Sequence, residues 1–204
     1  ETVVGQRETG SALVYSAFFL MFYREGMPGS ILFTAVAMVV YFVVGVKYEN
    51  VMMWDGQTSV GEFIVLLLVQ IFSTGMVSTY IHNGRQTVQM LLYTVGITLG
   101  CMLFSVYVIP FDVTYVQLIV SFVLIGFLFY QGLSARIRNY YFIALFALGS
   151  LAFFYSADYV LNNVMEPHQR VRINVLLGLE EDLAGAGYNV HQSEIAIGSG
   201  GLQG

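Results

Sequence analysis

Two arginines, Arg170 and Arg172, follow Pro167 closely in a polar segment near the end of the chain. A guanidinium offers a planar fork of donors that matches phosphate oxygens. Further on, Gly198-Ser199-Gly200-Gly201 can turn successive backbone N–H groups toward one anion. Glycine permits the positive φ and the close backbone approach that such a nest needs. Gln192 and Ser193, just upstream, supply donors and acceptors suited to sugar hydroxyls. The combination fits an anionic, lipid-linked sugar substrate. It equally fits a solvated loop whose arginines meet lipid headgroups, and residue types alone leave both accounts open.

Other polar groups stand in apolar surroundings. Glu62 and Asp158 fall inside long hydrophobic stretches, both close to one end of their stretch. An acid at membrane depth is a candidate for function, whereas a carboxylate one or two turns from the interface can simply reach water. Gln6, Arg7 and Glu8 border the first apolar run. They line a protein-walled cavity if that run spans the membrane, or mark the edge of a half-span if it does not.

The elements that position these groups are helices in lipid. Of the 204 residues 57% are hydrophobic and 10% charged, with a mean hydropathy of +0.71. Soluble domains carry roughly a quarter charged residues. Stretches approaching 20 residues cross a hydrocarbon layer of roughly 30 Å. They lie at about Ser11–Tyr23, Ser30–Val46, Val60–Ile81, Val88–Ile109, Val113–Leu133 and Tyr140–Leu161. The first spans only if it begins near Gly5. Breaker residues separate the stretches at Glu25–Gly29, His82–Gly84, Pro110–Asp112 and Ser134–Asn139. The fold class is therefore all-α: a polytopic transmembrane helix bundle of about six spans, closed by a glycine-rich extracytoplasmic loop at its C-terminal end. Residues 1–163 form the helices and 164–204 the loop. Within that loop a short interfacial helix is expected over Gln169–Leu177, although Arg170 to Val175 also alternates like a strand.

Orientation follows from basic residues in short loops. Arg24, Arg85, Arg136 and Arg138 share one side with little acid, which makes that side cytoplasmic. Arg7, Lys47, Arg170 and Arg172 share the other side with most of the acids. No basic run suggests nucleic acid as a partner, and the net charge of -5 says little, because most of the acids sit in loops. The single cysteine, Cys101, lies mid-stretch and reads as a packing residue. Gly96 and Gly100 form a GxxxG pair that permits close helix approach.

One stretch of wording is specific. Gln169-Arg170-x-Arg172-Ile173, then Gly185-Ala186-Gly187-Tyr188, then Gln192-Ser193-x-Ile195-Ala196-Ile197-Gly198-Ser199-Gly200-Gly201-Leu202 closely resembles the large extracellular loop of the SEDS family, which includes RodA, FtsW and SpoVE. At the other end, Gln6-Arg7-Glu8-Thr9-Gly10-Ser11 resembles that family's Gln-Pro-Asp/Glu-x-Gly-Thr/Ser segment, with Arg7 in place of proline. Tyr23-Arg24-Glu25-Gly26 is similar to the RodA branch. Residues 51–135 have no counterpart in that pattern and read as inserted spans. An even number of added spans leaves the tail on its original side.

The resemblance implies a peptidoglycan glycosyltransferase that polymerises lipid II into glycan strands for cell-wall elongation and cell shape. By the same resemblance, Arg170 and Arg172 stabilise the departing diphosphate, while Gln192, Ser193, Gly198, Ser199, Gly200 and Gly201 shape the substrate groove with Gln6 and Glu8. The family's essential aspartate lies downstream of the Gly-Ser-Gly-Gly-Leu string. No catalytic residue is therefore expected within this chain, which reads as a piece of a longer protein and is inactive alone. The resemblance implies no cofactor, with a divalent cation compatible with the lipid diphosphate. It implies as partners lipid II, the growing glycan strand, a class B penicillin-binding transpeptidase and other elongation-complex membrane proteins. The implied location is the bacterial inner membrane. A lipid-linked precursor flippase and a non-catalytic scaffold for a transpeptidase stand as alternatives.

Overall fold

The computed structural model describes Met21, Arg24, Gly26, residues 28–166, and Gln169, Arg170, Ile173 and Asn174. The chain divides into two compact units, Glu1–Ala37 with Val164–Gly204, and Met38–Asn163. In the first unit, Met21 and Arg24 are helical, as are the four described residues from Gln169 to Asn174. The rest of the expected first span, Ser11–Tyr23, and of the expected helix over Gln169–Leu177 lies outside the described residues.

Among the described residues, five helices are long and apolar enough to cross a membrane. They are α1 (Gly29–Lys47), α2 (Val60–Ile81), α3 (Gly84–Tyr107), α4 (Val113–Ala135) and α5 (Arg138–Tyr159), the last prolonged by a π-helical turn at Val160–Val164. Among the described residues there is no strand, only an isolated antiparallel bridge between Met52 and Ser59. The protein is a multi-pass, all-helical membrane protein.

Several helix boundaries depart from the hydropathy reading by two residues or more, because capping and backbone angle rather than hydropathy end a helix. α3 begins at Gly84 rather than Val88, because the Asn83 carboxamide oxygen accepts from the Gln86 N–H at 3.2 Å and starts the helix ahead of its apolar run. It also stops at Tyr107 rather than Ile109, three residues before Pro110. α4 runs to Ala135, where Arg136 takes a left-handed conformation (φ 53°) and ends it. α5 begins at Arg138 rather than Tyr140, since polar residues join a first turn readily even though they add no hydropathy. The start of α4 at Val113 agrees with expectation. There Asp112 caps by accepting from the Thr114 N–H at 2.9 Å and the Thr114 hydroxyl at 2.6 Å.

In unit Met38–Asn163, α2 packs against α3, α4 and α5, and α4 packs against α3 and α5. Half of the most apolar window of α2 is buried against a fifth of that of α3, so α2 is central and α3 peripheral. Unlike a soluble protein, the bundle is apolar on its outer face as well as in its core. Its interior holds Ser73, Thr74, Thr94, Thr98, Ser121 and Ser150 beside Val65, Leu66 and Leu128. Leu92, Leu103, Phe122, Val123 and Leu145 face outward. Lipid is as apolar as leucine, so close packing and polar contacts hold the helices together in place of hydrophobic burial. Buried hydroxyls bond back to their own helices, for example Ser73 to the Val69 carbonyl at 2.7 Å and Thr98 to the Thr94 carbonyl at 2.8 Å. The Gln70 amide crosses from α2 to α4, donating to the Gln117 carbonyl at 3.1 Å and the Ser121 hydroxyl at 3.0 Å. Gly96 and Gly100 are exposed, and a Cβ at either would meet nothing within 4 Å, so no described helix uses this pair.

Candidate functional site

α1, α3 and α5 finish at the end of the bundle where α2 and α4 begin. Antiparallel packing brings the first turn of α2, carrying Glu62, against the last turns of α5, carrying Tyr155 and Asp158. Between them opens a cavity of about 210 Å³ lined by Gly45, Glu49, Ser59, Glu62, Phe154, Tyr155, Asp158 and Asn162.

Its polar groups are ordered by one another. The Tyr155 hydroxyl donates to Glu62 Oε1 at 2.6 Å, a short charge-assisted bond. Asn162, one helical turn after Asp158, donates through Nδ2 to Asp158 Oδ1 at 3.0 Å and to Glu49 Oε1 at 3.1 Å. The Ser59 hydroxyl donates to the Glu49 carbonyl at 3.0 Å. Two glycines allow the helices to meet here. A Cβ at Gly61 would sit 2.6 Å from the Gly45 carbonyl oxygen, and one at Gly45 would sit 2.5 Å from the Phe154 ring.

Three carboxylates thus border one recess without a basic side chain in its lining. Its volume is below the roughly 300–1,000 Å³ of pockets that enclose drug-sized ligands. It suits a few waters or a single donor-bearing group. Among the described residues no group of three or more acids, histidines or cysteines could hold a metal ion.

The loop from Tyr48 to Ser59 closes one side of the recess. It is a tight turn in which the Met53 N–H donates to the Thr58 carbonyl at 2.9 Å and the Val60 N–H to the Val51 carbonyl at 2.8 Å. Gly56, at φ +69°, supplies the left-handed residue that this turn requires. Asp55 Oδ1 accepts from the Gln57 and Thr58 N–H groups at 3.1 and 3.0 Å. Desolvation pushes the Asp55 carboxyl up, but the Thr58 hydroxyl, the Thr58 and Gln57 N–H groups and the Ser105 hydroxyl outweigh it. The carboxyl is therefore held below its ordinary value.

Glu62 and Asp158, singled out from sequence, are brought together. Glu49, Tyr155 and Asn162 join them without having been expected there. The Asp158–Asn162 spacing of one turn was the available signal, but the pairing of α1, α2 and α5 has no local signature. Of the tail candidates, Arg170 is described: it is exposed and helical, and its N–H donates to the Glu166 carbonyl at 3.2 Å. Arg172, Gln192, Ser193, Gly198, Ser199, Gly200, Gly201, Gln6 and Glu8 lie outside the described residues.

Comparison with known proteins adds what this geometry does not carry. The peptidoglycan glycosyltransferase RodA of Treponema pallidum (strain Nichols) is 40% identical over 67 residues, which cover 33% of this chain and 16% of that protein. The peptidoglycan glycosyltransferase MrdB of Escherichia coli (strain K12) is 40% identical over 77 residues, covering 38% of this chain and 19% of that protein. The match thus spans less than a fifth of either relative. No solved structure matches. The family model of FtsW, RodA and SpoVE, described as cell cycle protein, matches residues 13–204, nearly the whole chain. The chain belongs to the FtsW/RodA/SpoVE family of cell cycle proteins.

Proposed function

We propose that the chain is part of a peptidoglycan glycosyltransferase of the bacterial inner membrane, which polymerises lipid II into glycan strands for cell-wall elongation and cell shape. The observation that carries this reading is the contiguous string from Gln192 to Leu202, within a segment covered by the family match and following Arg170 and Arg172. Relatives that carry the name peptidoglycan glycosyltransferase support the reaction class.

The tail faces outward by the arginine distribution, where it meets the diphosphate and sugars of a lipid-linked donor. Polymerisation requires a base to take the acceptor hydroxyl proton and cations to stabilise the leaving diphosphate. Arg170 and Arg172 take the second role, and the Gly198–Gly201 nest with Gln192 and Ser193 orients the sugar-phosphate. Residues 51–135 are inserted spans that add membrane-embedded surface for a class B penicillin-binding transpeptidase or other elongation-complex proteins. A flippase would need an open polar path between the two sides. Of the glutamines available for one, Gln70 and Gln117 are sealed at 1% and 0% exposure and Gln89 lies on the exposed surface of α3, which favours the polymerase.

The test is Arg170→Ala and Arg172→Ala in the whole protein, with glycan products from lipid II measured against protein abundance. Loss of one charge-assisted bond to phosphate costs about 1.5–3 kcal/mol, a fall of roughly ten- to a hundred-fold in polymer. Unchanged polymer at equal abundance would assign these arginines to headgroup contacts and remove them from the substrate site.

A further inference from the structure

We propose that the two loops at the recess end of unit Met38–Asn163 form one aromatic collar seated in the lipid headgroup–acyl boundary. The first loop, between α1 and α2, exposes Val51, Met52 and Trp54, the last at 86%. The second, where α3 passes into α4, exposes Tyr107 at the end of α3, at 81%, and Val108 and Ile109 after it. A monomer rarely presents such apolar surface to water, and where it does the surface marks an interaction site.

The two loops are one object because a buried polar clasp joins them. The Thr58 hydroxyl donates to Asp55 and accepts from the Val113 N–H at 3.0 Å. The Ser105 hydroxyl accepts from the Phe111 N–H at 3.1 Å and lies 2.7 Å from the Phe111 carbonyl and 3.3 Å from Asp55 Oδ2. Thr58 is fully buried. The first loop thereby turns its carboxylates toward protein, with Asp55 in the clasp and Glu49 on Asn162, and its apolar side chains outward. Charge is spent inward on both sides of Trp54.

The occupant is lipid because the collar continues a lipid-facing surface. α3 delivers exposed Leu103, Phe104 and Val106 into Tyr107–Ile109, and the one polar residue between them, Ser105, is turned inward to the clasp. At 22 and 24 residues, α2 and α3 rise about 33 and 36 Å, enough to fill the roughly 30 Å hydrocarbon layer and leave their ends at headgroup depth. Trp and Tyr, with an apolar ring and one polar tip, partition to that depth. The Asp55–Thr58 clasp fixes the loops rigidly enough to hold both rings there.

Trp54 is the sole tryptophan of the chain, so it reports its own surroundings. The chain is reconstituted into phosphatidylethanolamine–phosphatidylglycerol vesicles, and Trp54 emission is quenched by added phospholipid brominated near the glycerol backbone, by phospholipid brominated near the chain end, and by aqueous iodide. The expected result is blue-shifted emission that loses most of its intensity to the shallow bromolipid, less to the deep one and little to iodide. Tyr107→Trp in a Trp54→Phe background places a second reporter at an exposed position of the other loop, and the same depth order is expected. Quenching by iodide as free as that of a water-exposed indole would overturn the proposal. Shielding from both bromolipid and iodide would also overturn it, by showing protein, such as a second copy, over the collar. Different depths for the two reporters would break the collar into unrelated loops.

Discussion

Gly61→Ala and Gly75→Ala place the same methyl group on the same helix and should have opposite consequences. At Gly61 a Cβ would lie 2.6 Å from the Gly45 carbonyl oxygen, 3.0 Å from the Tyr48 carbonyl carbon and 3.1 Å from the Glu49 nitrogen. All three neighbours are backbone, so no side-chain rotation relieves the clash, and α1 must move away from α2. That movement also strains the bond from the Gly61 N–H to the Tyr48 carbonyl, 3.1 Å long, and separates Gly45 and Glu49 from Glu62 across the recess. Overpacking of this kind costs about 1–3 kcal/mol, with rigid backbone contacts at the upper end. Alanine recovers about 0.5–1 kcal/mol of helix preference at either position. At Gly75 nothing lies within 4 Å, so only the gain remains. The two variants should therefore differ by about 2 kcal/mol or more, combining these terms. Equilibrium unfolding in mixed micelles by sodium dodecyl sulfate, followed by Trp54 fluorescence, measures the gap. Equal stability, or Gly61→Ala above Gly75→Ala, would refute the close approach of α1 and α2 on which the recess depends.

Two further outcomes follow from polar groups. Gln117→Leu should be neutral or stabilising by about 1 kcal/mol, because its fully buried amide nitrogen and oxygen both lack partners among the described residues. Gln70→Leu should instead cost about 0.6–1.7 kcal/mol, the range of polar contacts between membrane helices, in the same unfolding assay. A larger loss at Gln117 than at Gln70 would contradict the bonding pattern. For Asp55 the folded carboxyl lies below its ordinary value of 3.8, so its contribution is fully present above that value and is lost as pH falls through the folded value. Acidification below about pH 4 should loosen the loop and lower Trp54 anisotropy in the native chain, while Asp55→Asn shows a lower anisotropy that no longer changes over that range. Rising anisotropy on acidification of the native chain would reverse the sign of the reasoning.

The solvent, the helical class and the middle of every described span were legible from residue types, because hydropathy sums over neighbouring residues and a bilayer rewards that sum directly. The sequence carried the family as well, since the Gln192–Leu202 string is a contiguous run of specific residue choices. Helix ends were legible only to within a few residues: the capping of α3 by Asn83 and the left-handed stop at Arg136 are matters of backbone angle, which hydropathy does not register. Tertiary structure alone decided the rest. Glu62 and Asp158 were each visible as acids in apolar stretches, but their meeting with Glu49 and Asn162 depends on which helices pack together and in what register. The same holds for the Thr58–Val113 clasp between two loops, and for the difference between Gly61 and Gly75, which are identical residues on one helix. Contacts between distant segments are set by the mutual fit of whole helices, and no local pattern of residue types encodes that fit.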